Sequence, residues 1–161
     1  MKRHSFALSL ALAVLAVLMF AGPAAAGNQV PFKGSLEGDV THTPAPPFDS
    51  VLVEAAGSAT QLGQFTVSIP HLVNTSTRTA AGTYVFTAAN GDTLTADFVG
   101  HAAPSGTPGV LAITEVATIT GGTGRFEGAT GSFTTERLFD TINLTTVGSF
   151  SGTISTPNAG N

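Results

Sequence analysis

Few side chains in this sequence are equipped for chemistry, and the two most telling are Glu115 and Arg137. Each interrupts an otherwise apolar alternation: Ile113, Ala117 and Ile119 flank the glutamate, while Phe133 and Phe139 flank the arginine. If those rows turn inward, a carboxylate and a guanidinium share a low-dielectric interior, where each is tolerable only with the other as partner. Such a pair, interior or at a rim, would anchor the carboxylate or hydroxyl of a ligand, and Tyr84 would add a further hydroxyl. The competing arrangement places both side chains in solvent, with the register shifted by a bulge.

Other constellations are thin. His42, His71 and His101 are not spaced as metal ligands with one another or with a carboxylate motif, so they are read as rim histidines and no metal is expected. A serine hydrolase needs a Gly-x-Ser-x-Gly elbow, and Gly148-Ser149-Phe150-Ser151-Gly152 lacks that spacing. Asn74-Thr75-Ser76 and Asn143-Leu144-Thr145 fit the glycosylation acceptor, a match that threonine-rich loops also produce by chance.

The segment GGTGRFEGATG, residues 121–131, holds five glycines in eleven residues. A phosphate cradle would require a helix directly after it and, in the P-loop case, a Lys next to Ser or Thr. Instead Gly131 leads into Ser132-Phe133-Thr134-Thr135, which reads as a strand, and the dinucleotide spacing fails at Glu127. Gly121, Gly122, Gly124, Gly128 and Gly131 are therefore read as structural, supplying positive φ and close approach where the chain curls between two strands. No cofactor is expected.

The elements that must position these residues begin after an expected leader. Lys2, Arg3 and His4 precede an uncharged apolar run from Phe6 to Ala21, and Ala24-Ala25-Ala26 supplies small residues for cleavage. Residues 1–26 are thus expected to be a signal peptide and 27–161 one exported domain, secreted or periplasmic, with no membrane span after cleavage. Of six Lys and Arg residues two lie in that leader, leaving four against ten acidic side chains, a net charge of about −6. Nucleic-acid binding is excluded on that balance, since phosphates require basic clusters. There is no cysteine, so the domain must hold together by its core alone.

Alternation of period two runs through the rest. Val30, Phe32, Leu36 and Val40 share one face of the first strand, and Phe65, Val67 and Ile69 share one face of another, expected to end at Pro70. Prolines 44, 46 and 47 mark a loop between the first two strands. With Val51–Ala56, the rows Tyr84-Phe86-Ala88 and Leu94-Ala96-Phe98, Val110–Thr120, Ser132–Phe139 and Val147–Ser155, eight strands emerge and almost no helical signal. The fold class is all-β, a sandwich or an up-and-down barrel. Matching the apolar rows predicts a three-residue loop Asn90-Gly91-Asp92 with positive φ at Gly91, pairing Tyr84 with Phe98 and Phe86 with Ala96. The same reasoning pairs Ile119 with Phe133, Ala117 with Thr135, Glu115 with Arg137 and Ile113 with Phe139.

The stretch TITGGTGRFEGATGSF, with weaker echoes in GSATQLGQFT, AANGDTLT and GSFSGTIS, resembles the signature of allene oxide cyclase barrel-like proteins, which are related in shape to the plant dirigent proteins. The resemblance spans most of residues 30–155. It implies an eight-stranded antiparallel β-barrel with the glycine segment turning across one end of a largely apolar interior. Those plant cyclases isomerise an unstable fatty-acid epoxide, whereas dirigent proteins orient phenoxy radicals without oxidising them. No motif outside the glycine segment matches either, so no catalytic residue is carried over. The expectation is a non-catalytic exported barrel holding a small apolar, phenolic or fatty-acid-like ligand; the alternatives are a cyclase-like isomerase and a structural module with a filled core.

Overall fold

The computed structural model describes residues 28–156, and the expected leader lies outside them. Eight strands succeed one another: β1 Val30–Thr43, β2 Phe48–Ala59, β3 Gly63–Asn74, β4 Thr79–Ala88, β5 Thr93–Pro104, β6 Val110–Gly122, β7 Thr130–Asp140 and β8 Thr145–Ser155. Each pairs antiparallel with its chain neighbour, and β8 returns to pair with β1, closing the barrel. The single helical element among the described residues is a 3-10 turn, Gly124–Phe126, inside the glycine segment.

Alternation dictates which side chains enter the barrel, because successive residues of a strand point to opposite faces. Phe32, Leu36 and Val40 of β1, Phe65, Val67 and Ile69 of β3, and Tyr84, Phe86 and Ala88 of β4 are all buried. Phe86 sits at the centre of an aromatic cluster, with ring centroids 5.2 Å from Phe65, 5.5 Å from Tyr84, 5.7 Å from Phe150 and 6.0 Å from Phe133. Aromatic contacts of this kind are each worth roughly 0.5–1.5 kcal/mol beyond the area they bury.

One end of the barrel is plugged. Phe126 and Ala129 of the glycine segment are 1% and 2% exposed and close the end together with Leu62 of the β2–β3 turn. Arg125 ties the three turns at this end together: its Nη2 donates to Leu62 O at 3.0 Å and its backbone N–H to Asp92 Oδ2 at 3.3 Å. Gly121, Gly124, Gly128 and Gly131 have φ of 135°, 57°, 71° and 143°. A Cβ on Gly122 would stand 2.1 Å from Thr93 O. The segment is thus a lid built by backbone geometry.

Two predicted registers are each off by two residues. In the β4–β5 hairpin Tyr84 lies opposite Ala96 and Phe86 opposite Leu94, not Phe98 and Ala96. Ala88 N–H bonds to Asp92 O, so the three-residue loop is Ala89-Asn90-Gly91. Gly91 has φ 89° and stands last in that loop, where a left-handed residue completes the turn. Across β6 and β7 Ile119 lies opposite Gly131, Ala117 opposite Phe133, Glu115 opposite Thr135, Ile113 opposite Arg137 and Leu111 opposite Phe139.

Interior volume bears on both corrections. The predicted pairs set large against large, Tyr84 with Phe98 and Ile119 with Phe133. Many bulky side chains of the barrel instead face small ones, with Phe98 opposite Gly82 and Ala117, Phe133 opposite Gly152, Phe150 opposite Gly34 and Phe65 opposite Gly57, although Phe86 still stands opposite Leu94 and Phe139 opposite Leu111. A narrow closed barrel often fills its bore by such alternation of sizes.

Candidate functional site

Above the aromatic cluster the bore changes character. Glu115 enters from β6 and Arg137 from β7, 1% and 7% exposed. Each stands opposite a glycine on its other neighbour, Glu115 opposite Gly100 and Arg137 opposite Gly148. A Cβ on Gly100 would come within 2.6 Å of Glu115 Cγ, and one on Gly148 within 2.3 Å of Arg137 Cβ. The two glycines therefore make the space in which the ionised side chains lie.

Although they are not direct cross-strand partners, the two form a bidentate ion pair along the diagonal. Arg137 Nη2 donates to Glu115 Oε1 at 2.7 Å and Nε to Oε2 at 3.2 Å. Arg137 Nη1 donates to Thr146 Oγ1 at 3.3 Å, and Thr146 in turn donates to Leu138 O at 2.8 Å. The Tyr84 hydroxyl, on fully buried Tyr84, donates to Glu115 Oε2. Tyr84, Glu115 and Arg137, the three residues singled out by sequence, are thus one hydrogen-bonded group.

Its electrostatics arise from burial and pairing. Burial opposes the Arg137 charge, but the hydrogen bonds and charge of Glu115 more than offset it and raise the guanidinium pKa. Burial, and then the negative charge of Glu115, push the Tyr84 phenol far above its ordinary range. The phenol therefore stays protonated and donates to the carboxylate. Thr135, opposite Glu115, is fully buried, and its hydroxyl beside Tyr84 acts in the opposite direction, favouring ionisation of the phenol.

The ion pair forms the floor of a cavity of about 280 Å³ that opens at the end of the barrel opposite the glycine lid. Its walls are mostly apolar, with Val40, Val51, Val73, Leu111, Ile113 and Phe139 contributing. His42, His71 and His101 line it, along with Asp49 and Arg78. His42 and His101 are exposed at the mouth, as a rim reading expects. His71 is not a rim residue: it is 8% exposed, its ring packs edge-on against Phe98 with centroids 5.7 Å apart, and Nδ1 lies 2.9 Å from Ile69 O. Burial is the largest influence on its imidazole and lowers the pKa. Among the described residues no three His, Cys, Asp or Glu side chains are grouped to hold a metal.

Sequence reasoning placed His71 at the rim because it ended β3 at Pro70. The row Phe65-Val67-Ile69 runs on through that proline to His71, and β3 continues to Asn74. Pro70 is exposed, and its ring leaves the row on the opposite face undisturbed.

No family model matches the sequence, and no curated protein matches it. Among solved structures the chain is similar to the pterocarpan synthase dirigent protein GePTS1, with a TM-score of 0.54 and 12% identity, over 80% of this chain and 91% of that one. At that identity the likeness is one of fold, and the chain has the eight-stranded barrel architecture of a dirigent protein.

Proposed function

We propose that this is an exported barrel that holds a small, largely apolar molecule, phenolic or fatty-acid-like, in its open half without turning it over. The observation that carries the reading is the buried ion pair at the floor of an apolar cavity. Stability alone would be served as well by apolar residues of similar volume, because desolvating two charges can cost more than their attraction returns. A ligand's polar end gives the pair a purpose. Apolar walls with a few convergent polar groups are the usual makeup of a small-molecule site. The fold likeness to a protein described as a pterocarpan synthase and a dirigent protein is in keeping with this reading.

Binding without turnover is favoured by the bonding of the three residues. Both Glu115 oxygens are engaged, and the Tyr84 proton is committed to one of them. An isomerase acting by electrostatic positioning in the same cavity is the second reading, favoured by the convergence of three polar side chains on one buried spot. The filled-core reading describes only the plugged half.

A thermal-shift panel of simple phenols and medium-chain fatty acids tests the proposal. A ligand that binds only the folded state stabilises it by about 2.7 kcal/mol at a hundred times its Kd, so a binder raises Tm. Arg137→Met should lose that response. A panel with no effect on Tm would reject the reading, and conversion of a bound compound would replace it with the isomerase.

A further inference from the structure

His71 faces the same cavity from β3, and its ring has only one nitrogen to offer. Ile69 O, being a carbonyl oxygen, can only accept, so the 2.9 Å contact requires a proton on Nδ1. Nε2 is then the nitrogen left for a ligand. Burial and the Arg137 charge both disfavour a second proton on the ring, while the bond to Ile69 and the Glu115 charge favour it, and the balance lowers the pKa. Near neutral pH, Nε2 therefore carries a bare lone pair, an acceptor without a hydrogen.

The cavity is also electrically balanced. Its ionisable walls apart from histidine are Arg78 and Arg137 against Asp49 and Glu115. A ligand carboxylate would bring an uncompensated negative charge to a floor where Arg137 is already neutralised by Glu115 at 2.7 Å. Arg137 makes three hydrogen bonds with a guanidinium that has five N–H groups, so it can still donate to a neutral oxygen.

We infer that His71 is a specificity-determining residue of this cavity, accepting a hydrogen bond at Nε2 from an uncharged hydroxyl of the ligand, so that the site selects alcohols and phenols over carboxylates and ethers of the same skeleton. The inference rests on the ligand-binding reading and narrows its ligand class. A hydroxyl satisfies both sides at once, donating to His71 and accepting from Arg137. An ether leaves the imidazole acceptor without its donor, and a carboxylate meets it lone pair to lone pair.

Three matched probes decide it: 3-phenylpropan-1-ol, its methyl ether and 3-phenylpropanoate, titrated calorimetrically into the purified protein at neutral pH. Loss of one hydrogen bond to a buried group corresponds to roughly tenfold or more in affinity, so the alcohol should bind about tenfold tighter than either analogue. In His71→Leu, folded by circular dichroism, the alcohol and the ether should bind alike. Independently of any variant, the Nε2 nitrogen-15 resonance of His71 should shift when the alcohol binds and not when the ether does. Equal or tighter binding of the carboxylate or ether, or an alcohol-bound protein whose Nε2 resonance does not move, would overturn the inference and leave the ligand-binding reading intact. Failure of all three probes to bind would count against both.

Discussion

The two halves of this barrel are built from the same strands and the same alternation, yet one is solid and the other hollow. Below Tyr84 the inward rows supply phenylalanines from β1, β3, β4, β7 and β8, interleaved with glycine and alanine, and a lid that buries Phe126 and Ala129 seals the end. Above it the rows supply Val40, Val51, Ala80 and Ile113, too small to meet across the bore, and the polar residues appear. Period two decides what points inward, while the sizes along each row decide whether the inside is a core or a container. The ion pair lies at the boundary, packed from below by aromatic rings and open above.

The largest contrast to test is filling. Phe86→Ala, in the centre of the cluster, should cost roughly 3–5 kcal/mol in chemical denaturation. Phe139→Ala, on the cavity wall, should cost less than half as much because its removal enlarges an existing space. Equal costs would mean that the two halves pack alike. Next comes the boundary: Arg137→Met leaves Glu115 buried without its partner and should cost about 3–5 kcal/mol, whereas a Glu115→Leu, Arg137→Met double variant should recover most of that loss. A single variant as stable as the parent would show that the pair is not buried in solution. Tyr84→Phe removes one donor to a charged acceptor and should cost about 1.5–3 kcal/mol, with the fold retained by near-ultraviolet circular dichroism.

The smallest effect is one of pH. The His71 pKa is lowered on folding from its ordinary value of 6.5, so the unfolded chain takes up the proton first as pH falls. Stability should therefore decline as pH drops through 6.5, until the folded imidazole is protonated as well. His71→Leu should flatten that part of a Tm-against-pH profile, and an unchanged slope would place the ring in water.

Much of this was legible in the sequence, for a definite reason. The inward rows of β1, β4, β5, β6 and β7 alternate cleanly, so the strands and the placing of Glu115 and Arg137 in apolar rows could be read from residue type and parity, with exposure of the pair through a bulge left as the alternative. A slip of two residues keeps every side chain on its face, so parity cannot detect it. The positions opposite Phe133 and Tyr84 were therefore misassigned, although Gly131, Gly152 and Ala96 carried the missing information as the small partners that bulky neighbours need. The cavity was less legible still. It arises from a deficit of side-chain volume summed over several strands, and no local motif encodes such a sum.

Closure of the ring has a consequence for how the chain reaches it. Seven of the eight pairings join strands adjacent in sequence and can zip up as successive hairpins, but the β1–β8 seam joins Val30 to Ile154. Such distant contacts form late and slow folding, because most of the chain must be ordered before they can be made. Until β8 docks, β1 and β7 are both raw edges, able to recruit a strand from another molecule. A chain that stops short of Thr145 would keep those edges permanently, so the last eleven residues of the barrel guard the whole of it against aggregation.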